Sequence, residues 1–418
     1  MSTTRRTFLK GTAATAAALT APAIIGKAMA ADKIKLVSIL DQSGGLDIYG
    51  KPMVAATKMA VAEINASGGL LGREVDLKMY DPQSSIQYYT QYATQAAASD
   101  RADVVHAGIT SASREAIRPT LDRFQTLYFY NTQYEGGVCD RNVFCTGSTP
   151  AHTVEKLVPH AMKKWGKKVY ILAADYNYGQ IIADWVEKFV RDEGGETVAT
   201  EFFPLDVTNF GPTIQKIQAA KPDMIWSALV GGAHISFYRQ YAAAGMHKNI
   251  PLASTTYGVG NEHQLMSAEE GNGILTAYSY FQEIDTPANK AFVKRFQEAN
   301  GGAAAPYLNE LAVRSYEGVM LWAQAVRDAG SVERMKVIEA LEAPVKIDAP
   351  SGTIAIEPTT HHETLNTYIA ELKDKQFEVQ ETFLAQEPTD TMQVCDLKAN
   401  PDTVKFYFEN GLEAAGIK

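Results

Sequence analysis

Short apolar runs alternate with amphipathic stretches along most of the chain, and this order leaves few folds open. Ile34–Ile39 reads as a strand and Met53–Asn65 as a helix that ends at Gly68-Gly69. Glu74–Tyr80 reads as a strand, Tyr88–Ala98 as a helix, Asp103–Ile109 as a strand, Ser113–Phe124 as a helix and Leu127–Tyr130 as a fourth strand. The order restarts with strand Lys168–Ala173, helix Gly179–Asp192, strand Glu196–Phe203 and helix Thr213–Ala219. Met224–Leu229, His234–Ala243 and Ile250–Ala253 continue it. Alternation of this kind builds a parallel sheet with helices on both faces. Two such series predict an α/β chain of two doubly wound parallel-sheet lobes joined by a hinge. The later helical stretches Thr286–Asn300, Leu308–Ala329 and Ser331–Ala343 must dock on one lobe or the other.

The first residues set the compartment. Arg5-Arg6 precede the Ala-rich run Gly11–Ile25, and Ala28-Met-Ala30 is a small-x-small cleavage site before Ala31. This is the pattern of a cleaved signal peptide at 1–30, of twin-arginine type, although the general export route also accepts Arg-Arg. The run is too short and too rich in alanine to span a bilayer, which takes roughly 20 apolar residues. Cleavage removes Arg5, Arg6, Lys10 and Lys27 and no acid, so the formal charge goes from −9 to −13. A chain this acidic argues against nucleic acid or an anionic membrane as partner. In the periplasm a disulfide persists. Of the three cysteines, Cys139 and Cys145 lie six apart across a loop and are the expected pair, with Cys395 left over; three unpaired thiols are the alternative.

In open α/β sheets, ligands bind beyond the carboxyl ends of the strands. Hydroxyls and tyrosines gather at those places here: Ser111 and Ser113; Tyr130, Thr132, Gln133 and Tyr134; Tyr176 and Tyr178; Thr256 and Tyr257. Ser111 precedes a helix, so its hydroxyl and the first free N–H groups would share one space and accept a carbonyl or carboxylate oxygen. Ser111 or Ser113 could instead simply cap that helix. Thr132 could bond the same ligand, or be an ordinary turn threonine. Tyr176 and Tyr178 could cover a planar ligand or serve interlobe packing. Catalytic signatures are missing: no Gly-x-Ser-x-Gly elbow, phosphate loop or His-Glu-x-x-His occurs. Asp175 and Glu135 could form an acid/base pair, but nothing near them reads as a nucleophile or metal site. A non-catalytic binder without cofactor or metal is expected.

The mature chain resembles the type I periplasmic solute-binding proteins of the Leu/Ile/Val-binding class, which feed ABC importers. The stretches that carry the resemblance are Glu63-Ile-Asn-Ala-Ser-Gly-Gly-Leu-Leu-Gly-Arg73, Asp175-Tyr-Asn-Tyr-Gly-Gln180 and Ser43-Gly44…Tyr49-Gly50. Within the class it looks closest to the urea and short-chain amide binders, through Ser111-Ala-Ser-Arg114, Thr132-Gln-Tyr-Glu-Gly136, Asn142-Val-Phe-Cys-Thr-Gly147 and His361-His362. The resemblance implies a first lobe of 31–152 plus about 278–348 and a second of 153–277 plus about 349–385, with 386–418 as a C-terminal extension. It implies that Ser111 and Thr132 bind the solute from the first lobe, and that Tyr176 and Tyr178 close on it from the second. Tyr130, Gln133, Thr256 and Tyr257 complete the expected site. Ile109 and Gln133 depart from the amide group, where an aromatic and a proline are common, which puts urea itself in doubt.

A buried ammonium without a partner is expensive. Amino-acid binders of this class carry an acid after a second-lobe strand, whereas Ser254-Thr255-Thr256-Tyr257 is neutral. Neutral amide-like solutes are therefore expected, with amino acids as the alternative if Glu262 or Asp175 reaches in. A ligand sensor of the same fold is a third reading. The partners implied are a small-molecule solute and inner-membrane permease and ATPase subunits, with the protein itself a monomer.

Overall fold

The computed structural model describes residues 32–343 and 345–418, so the expected signal peptide at 1–30 lies outside the described residues. The first sheet is built from β1 (Ile34–Ile39), β2 (Val75–Tyr80), β3 (Val104–Ala107) and β4 (Leu127–Tyr130). After β5 (Val138–Asp140), β6 (Val143–Cys145) completes it, in the parallel order β2-β1-β3-β4-β6. The second sheet repeats the plan with β7 (Lys168–Ala174), β8 (Glu196–Phe203), β9 (Met224–Ala228), β10 (Leu252–Ser254) and β11 (Leu275–Tyr278), ordered β8-β7-β9-β10-β11. β3, β4 and β9 are buried end to end, and β7 everywhere after Lys168. Helices cover both faces of a parallel sheet, so its inner strands read as continuous apolar runs.

The last third of the chain is antiparallel: β12 (Lys346–Ala349), β13 (Gly352–Glu357), β14 (His362–Lys373) and β15 (Gln376–Gln386). β14 begins against β13 and β6 and ends against β11 and β15, so one strand runs through both sheets. The division expected near 348 therefore falls later. The β12–β13 hairpin extends the first sheet, and the crossing lies inside β14, between Thr364, opposite β13, and Tyr368, opposite β11.

The expected Cys139–Cys145 bridge is not formed. Cys139 is bonded to Cys395, 256 residues away, and Cys145 is a buried free thiol pushed up to about 12 by burial. The reason is topological. Cys145 lies inside the main sheet between Tyr130 and His362, whereas Cys139 lies in a separate ribbon where β5 pairs with β16 (Val404–Phe406). The expected C-terminal extension thus docks on the first lobe, where Thr391 Oγ1 also accepts the Gly137 N–H at 2.9 Å. Beyond β16, Phe408 sits against Gly136 and Gly137 and, edge-on at 5.7 Å, against Trp185 of the second lobe.

Candidate functional site

A cleft lies between the strand ends of the two lobes. The first lobe lines it with Tyr49, after β1; with Ile109, Thr110 and Ser111, after β3; with Tyr130, Thr132 and Gln133, at the end of β4; and with Leu311. The second supplies Tyr176 and Tyr178 after β7, Val230 after β9, and Thr256 and Val259 after β10. In a sheet of this order the winding switches between its first and third strands, and the crevice opens there. Both lobes obey that rule, with β1 and β3 facing β7 and β9.

Tyr49 and Tyr178 reach the cleft by the same local device. The helix after β1, Asp47–Ala66, and the helix after β7, Asn177–Asp192, each carry a Tyr-Gly pair in their first turn. A Cβ on Gly50 would lie 1.8 Å from the Asp41 carbonyl oxygen, and one on Gly179 would lie 2.0 Å from that of Ala174. Only glycine lets each helix start press onto its strand, and the preceding tyrosine is thereby delivered to the cleft. Tyr49 Oη accepts the Gly231 N–H of the second lobe at 3.0 Å. The rings of Tyr176 and Tyr178 lie 6.2 Å apart at 30°.

The helix Ser111–Arg123 starts at the cleft wall, and its cap is Thr110 rather than Ser111. Thr110 Oγ1 accepts the Ser113 N–H at 3.1 Å, and Ser113 Oγ in turn accepts the N–H groups of Ile109 and Thr110. The first turn of a helix has no intrahelical acceptors for its N–H groups, so those of Ser111 and Ala112 stay available. The Ser111 hydroxyl, expected to donate to a ligand oxygen, instead donates to Glu135 Oε2 at 2.5 Å. Glu135 Oε1 accepts from Arg114 Nη2 at 3.0 Å, and Ser111, Arg114 and Glu135 are all buried. Thr132 Oγ1 donates to the Gly108 carbonyl and Tyr130 Oη to that of Ile109, both at 3.1 Å. Gln133 Nε2 donates across the cleft to the Thr255 carbonyl at 2.8 Å. Burial raises the Tyr130, Tyr176 and Tyr178 phenols above their ordinary range, so they remain protonated.

Of the eight residues expected to bind ligand, Ser111, Tyr130, Thr132, Gln133, Tyr176, Tyr178 and Thr256 line this cleft. Tyr257 does not. Its ring packs edge-on against Tyr238 at 4.8 Å, and its hydroxyl reaches Met266 Sδ at 3.8 Å. Tyr49 escaped the sequence reading as a site residue, although the repeated Tyr-Gly pair after the first strand of each lobe carried the signal. Val230, Val259 and Leu311 are apolar positions with no local mark. Glu262 Oε2 is taken up by the N–H groups of Gly258 and Gly260, and its Oε1 lies 3.3 Å from His234. Asp175 is exposed and accepts from Gln180. Neither acid lines the cleft, and among the described residues no lining side chain is charged. No group of His, Cys, Asp and Glu among the described residues could hold a metal ion.

Residues 33–376 match the family described as periplasmic binding protein, and residues 2–22 match the twin-arginine translocation signal sequence. The Leu/Ile/Val-binding protein homolog 6 of Brucella melitensis is 26% identical over 230 residues, which are 54% of this chain and only 58% of that protein. The leucine-, isoleucine-, valine-, threonine- and alanine-binding protein of Pseudomonas aeruginosa is 25% identical over 361 residues, 83% of this chain and 93% of that one. Among solved structures, the solute-binding protein of an ABC transporter from R. palustris in complex with 4-hydroxybenzoate is 24% identical. It superposes with a TM-score of 0.76 over 87% of this chain and 100% of that one. A second, from Rhodopseudomonas palustris HaA2 in complex with p-hydroxybenzoic acid, is 25% identical with a TM-score of 0.77 over the same shares.

Proposed function

The chain belongs to the periplasmic binding protein family, and from that premise we propose that it is the solute-binding component of an ABC importer for a small neutral amide-like solute, urea or a short-chain amide. Its twin-arginine leader marks it as an exported, periplasmic protein. The observation that carries the choice of solute is the lining of the cleft: hydroxyls, a carboxamide and apolar side chains, with no charged side chain. The N–H group of Ser111, at the helix start on the cleft wall, and the hydroxyls of Tyr176 and Tyr178 are donors for a carbonyl oxygen. Ser111 Oγ and Thr132 Oγ1, whose protons are committed elsewhere, offer lone pairs to N–H groups. The paired rings of Tyr176 and Tyr178 suit a planar solute. A solute touching both lobes stabilises the closed arrangement, which lets a permease tell loaded from empty protein.

The Pseudomonas aeruginosa relative, by its name, favours a second reading, an aliphatic amino acid. An α-ammonium buried in this cleft would need a carboxylate, and Glu262 is held away by two backbone N–H groups. The bound molecules of the Rhodopseudomonas proteins carry a carboxylate, for which this cleft has no cation among its lining; Arg114 stands behind Tyr130, with Nε on Glu115 and Nη2 on Glu135. Calorimetry of the mature protein against urea, formamide, acetamide, leucine and 4-hydroxybenzoate tests the assignment. Heat is expected with urea or an amide. Binding of leucine or 4-hydroxybenzoate without response to any amide overturns it.

A further inference from the structure

We propose that Glu135, a residue that does not line the cleft, sets the hydrogen-bond polarity of Ser111 and thereby makes the site select solutes that carry an N–H group. Paired with the Arg114 guanidinium at 3.0 Å, the Glu135 carboxylate can only accept, and it claims the Ser111 proton at 2.5 Å. Arg114 cannot turn away. It is fully buried, its Nε donates to Glu115 Oε1 at 2.8 Å, and the rings of Tyr130, Tyr134 and Phe406 enclose it. The chain Arg114→Glu135←Ser111 therefore leaves Ser111 Oγ facing the cleft as an acceptor. A ligand with a methyl group where an amide has NH₂ leaves that buried acceptor unpaired, which costs about five- to a hundredfold in affinity. Glu135 is thus a positioning residue, and it rests on the amide reading above.

The substitution Glu135→Gln reverses the chain. Arg114 remains a donor and takes the new side chain's amide oxygen, so the introduced NH₂ group is left toward Ser111 Oγ. The serine must then accept from it and turn its own proton into the cleft. Acetamide and acetone, equal in shape and differing at the NH₂, read this out by calorimetry. The unmutated protein is expected to prefer acetamide at least about fivefold, and Glu135→Gln to bring that ratio down by a similar factor. Ser111→Ala, which leaves the Arg114–Glu135 pair in place, is expected to lower the same ratio, and Glu135→Gln added to it to change the ratio no further. A purely structural role for Glu135 would weaken both ligands equally and leave the ratio unchanged; that result, or a ratio near one in the unmutated protein, overturns the inference. Failure of the amide reading itself is separate: the unmutated protein would then bind leucine or 4-hydroxybenzoate and ignore both probes.

Discussion

The Cys139–Cys395 bridge makes a quantitative prediction that a local Cys139–Cys145 bridge would not. In the chain-entropy description a cross-link stabilises by shrinking the unfolded ensemble, and its effect grows with the loop it closes. A separation of 256 residues corresponds to about 5 kcal/mol, one of six residues to about 2 kcal/mol. Guanidinium chloride unfolding of the mature, oxidised protein measures this with and without a reductant. Reduction should lower stability by about 5 kcal/mol, and Cys139→Ser should abolish the response to reductant. Cys145→Ala should keep the full response, because Cys145 is a buried thiol with no sulfur partner. Loss of reductant sensitivity in Cys145→Ala, or a loss of stability near 2 kcal/mol on reduction, would refute the long-range pairing and with it the docking of the tail through β16.

Tyr176→Ala should weaken amide binding about tenfold, roughly 1.4 kcal/mol, while Tyr88→Ala on the outer helix Ile86–Thr94 should change little in the same titration. Gln133→Ala removes a bond between the lobes and should speed ligand dissociation several-fold in stopped-flow measurements; an unchanged off-rate would count against a role in closure. His106 is buried against Phe129, and burial lowers it to about 3. The unfolded chain therefore takes up a proton below its ordinary 6.5 that the folded chain refuses, and this residue costs stability as pH falls from about 6.5 toward 3. The advantage of the wild type over His106→Gln should shrink by about 1.3 kcal/mol between pH 5.5 and 4.5 in guanidinium chloride unfolding. A gap that stays constant, or widens on acidification, would falsify the assignment of a neutral buried histidine.

Much of the architecture was legible because coverage on both faces forces inner strands into unbroken apolar runs. Ile34–Ile39 and Leu127–Tyr130 have the bounds expected of them. The β14–β15 hairpin was missed because its turn is Asp374-Lys375, both at positive φ, with no glycine or asparagine to announce it. The cleft was legible as a set of strand ends, so seven of the side chains that line it could be named. The direction of the Ser111 hydrogen bond could not, since it depends on a carboxylate 24 residues away. Thr256 and Tyr257 illustrate the same limit: neighbours in an irregular loop point to different places, and no periodicity decides which one meets the cleft. Cysteine spacing fails for a related reason, because connectivity follows from which strands share a ribbon.

The C-terminal segment touches both lobes. It is anchored to the first lobe by Cys395 and β16, yet Phe408 leans on Trp185, and Gly411 lies beside Asp184, both in the second lobe. Trp185 also donates its indole N–H to the Glu135 carbonyl at 3.1 Å. Any swing that opens the cleft by moving Trp185 must peel it from both, so part of the closing force is internal to the chain and present before solute arrives. Such a preload narrows the difference between empty and loaded protein. It should favour slow exchange and tight retention of the solute the cleft takes.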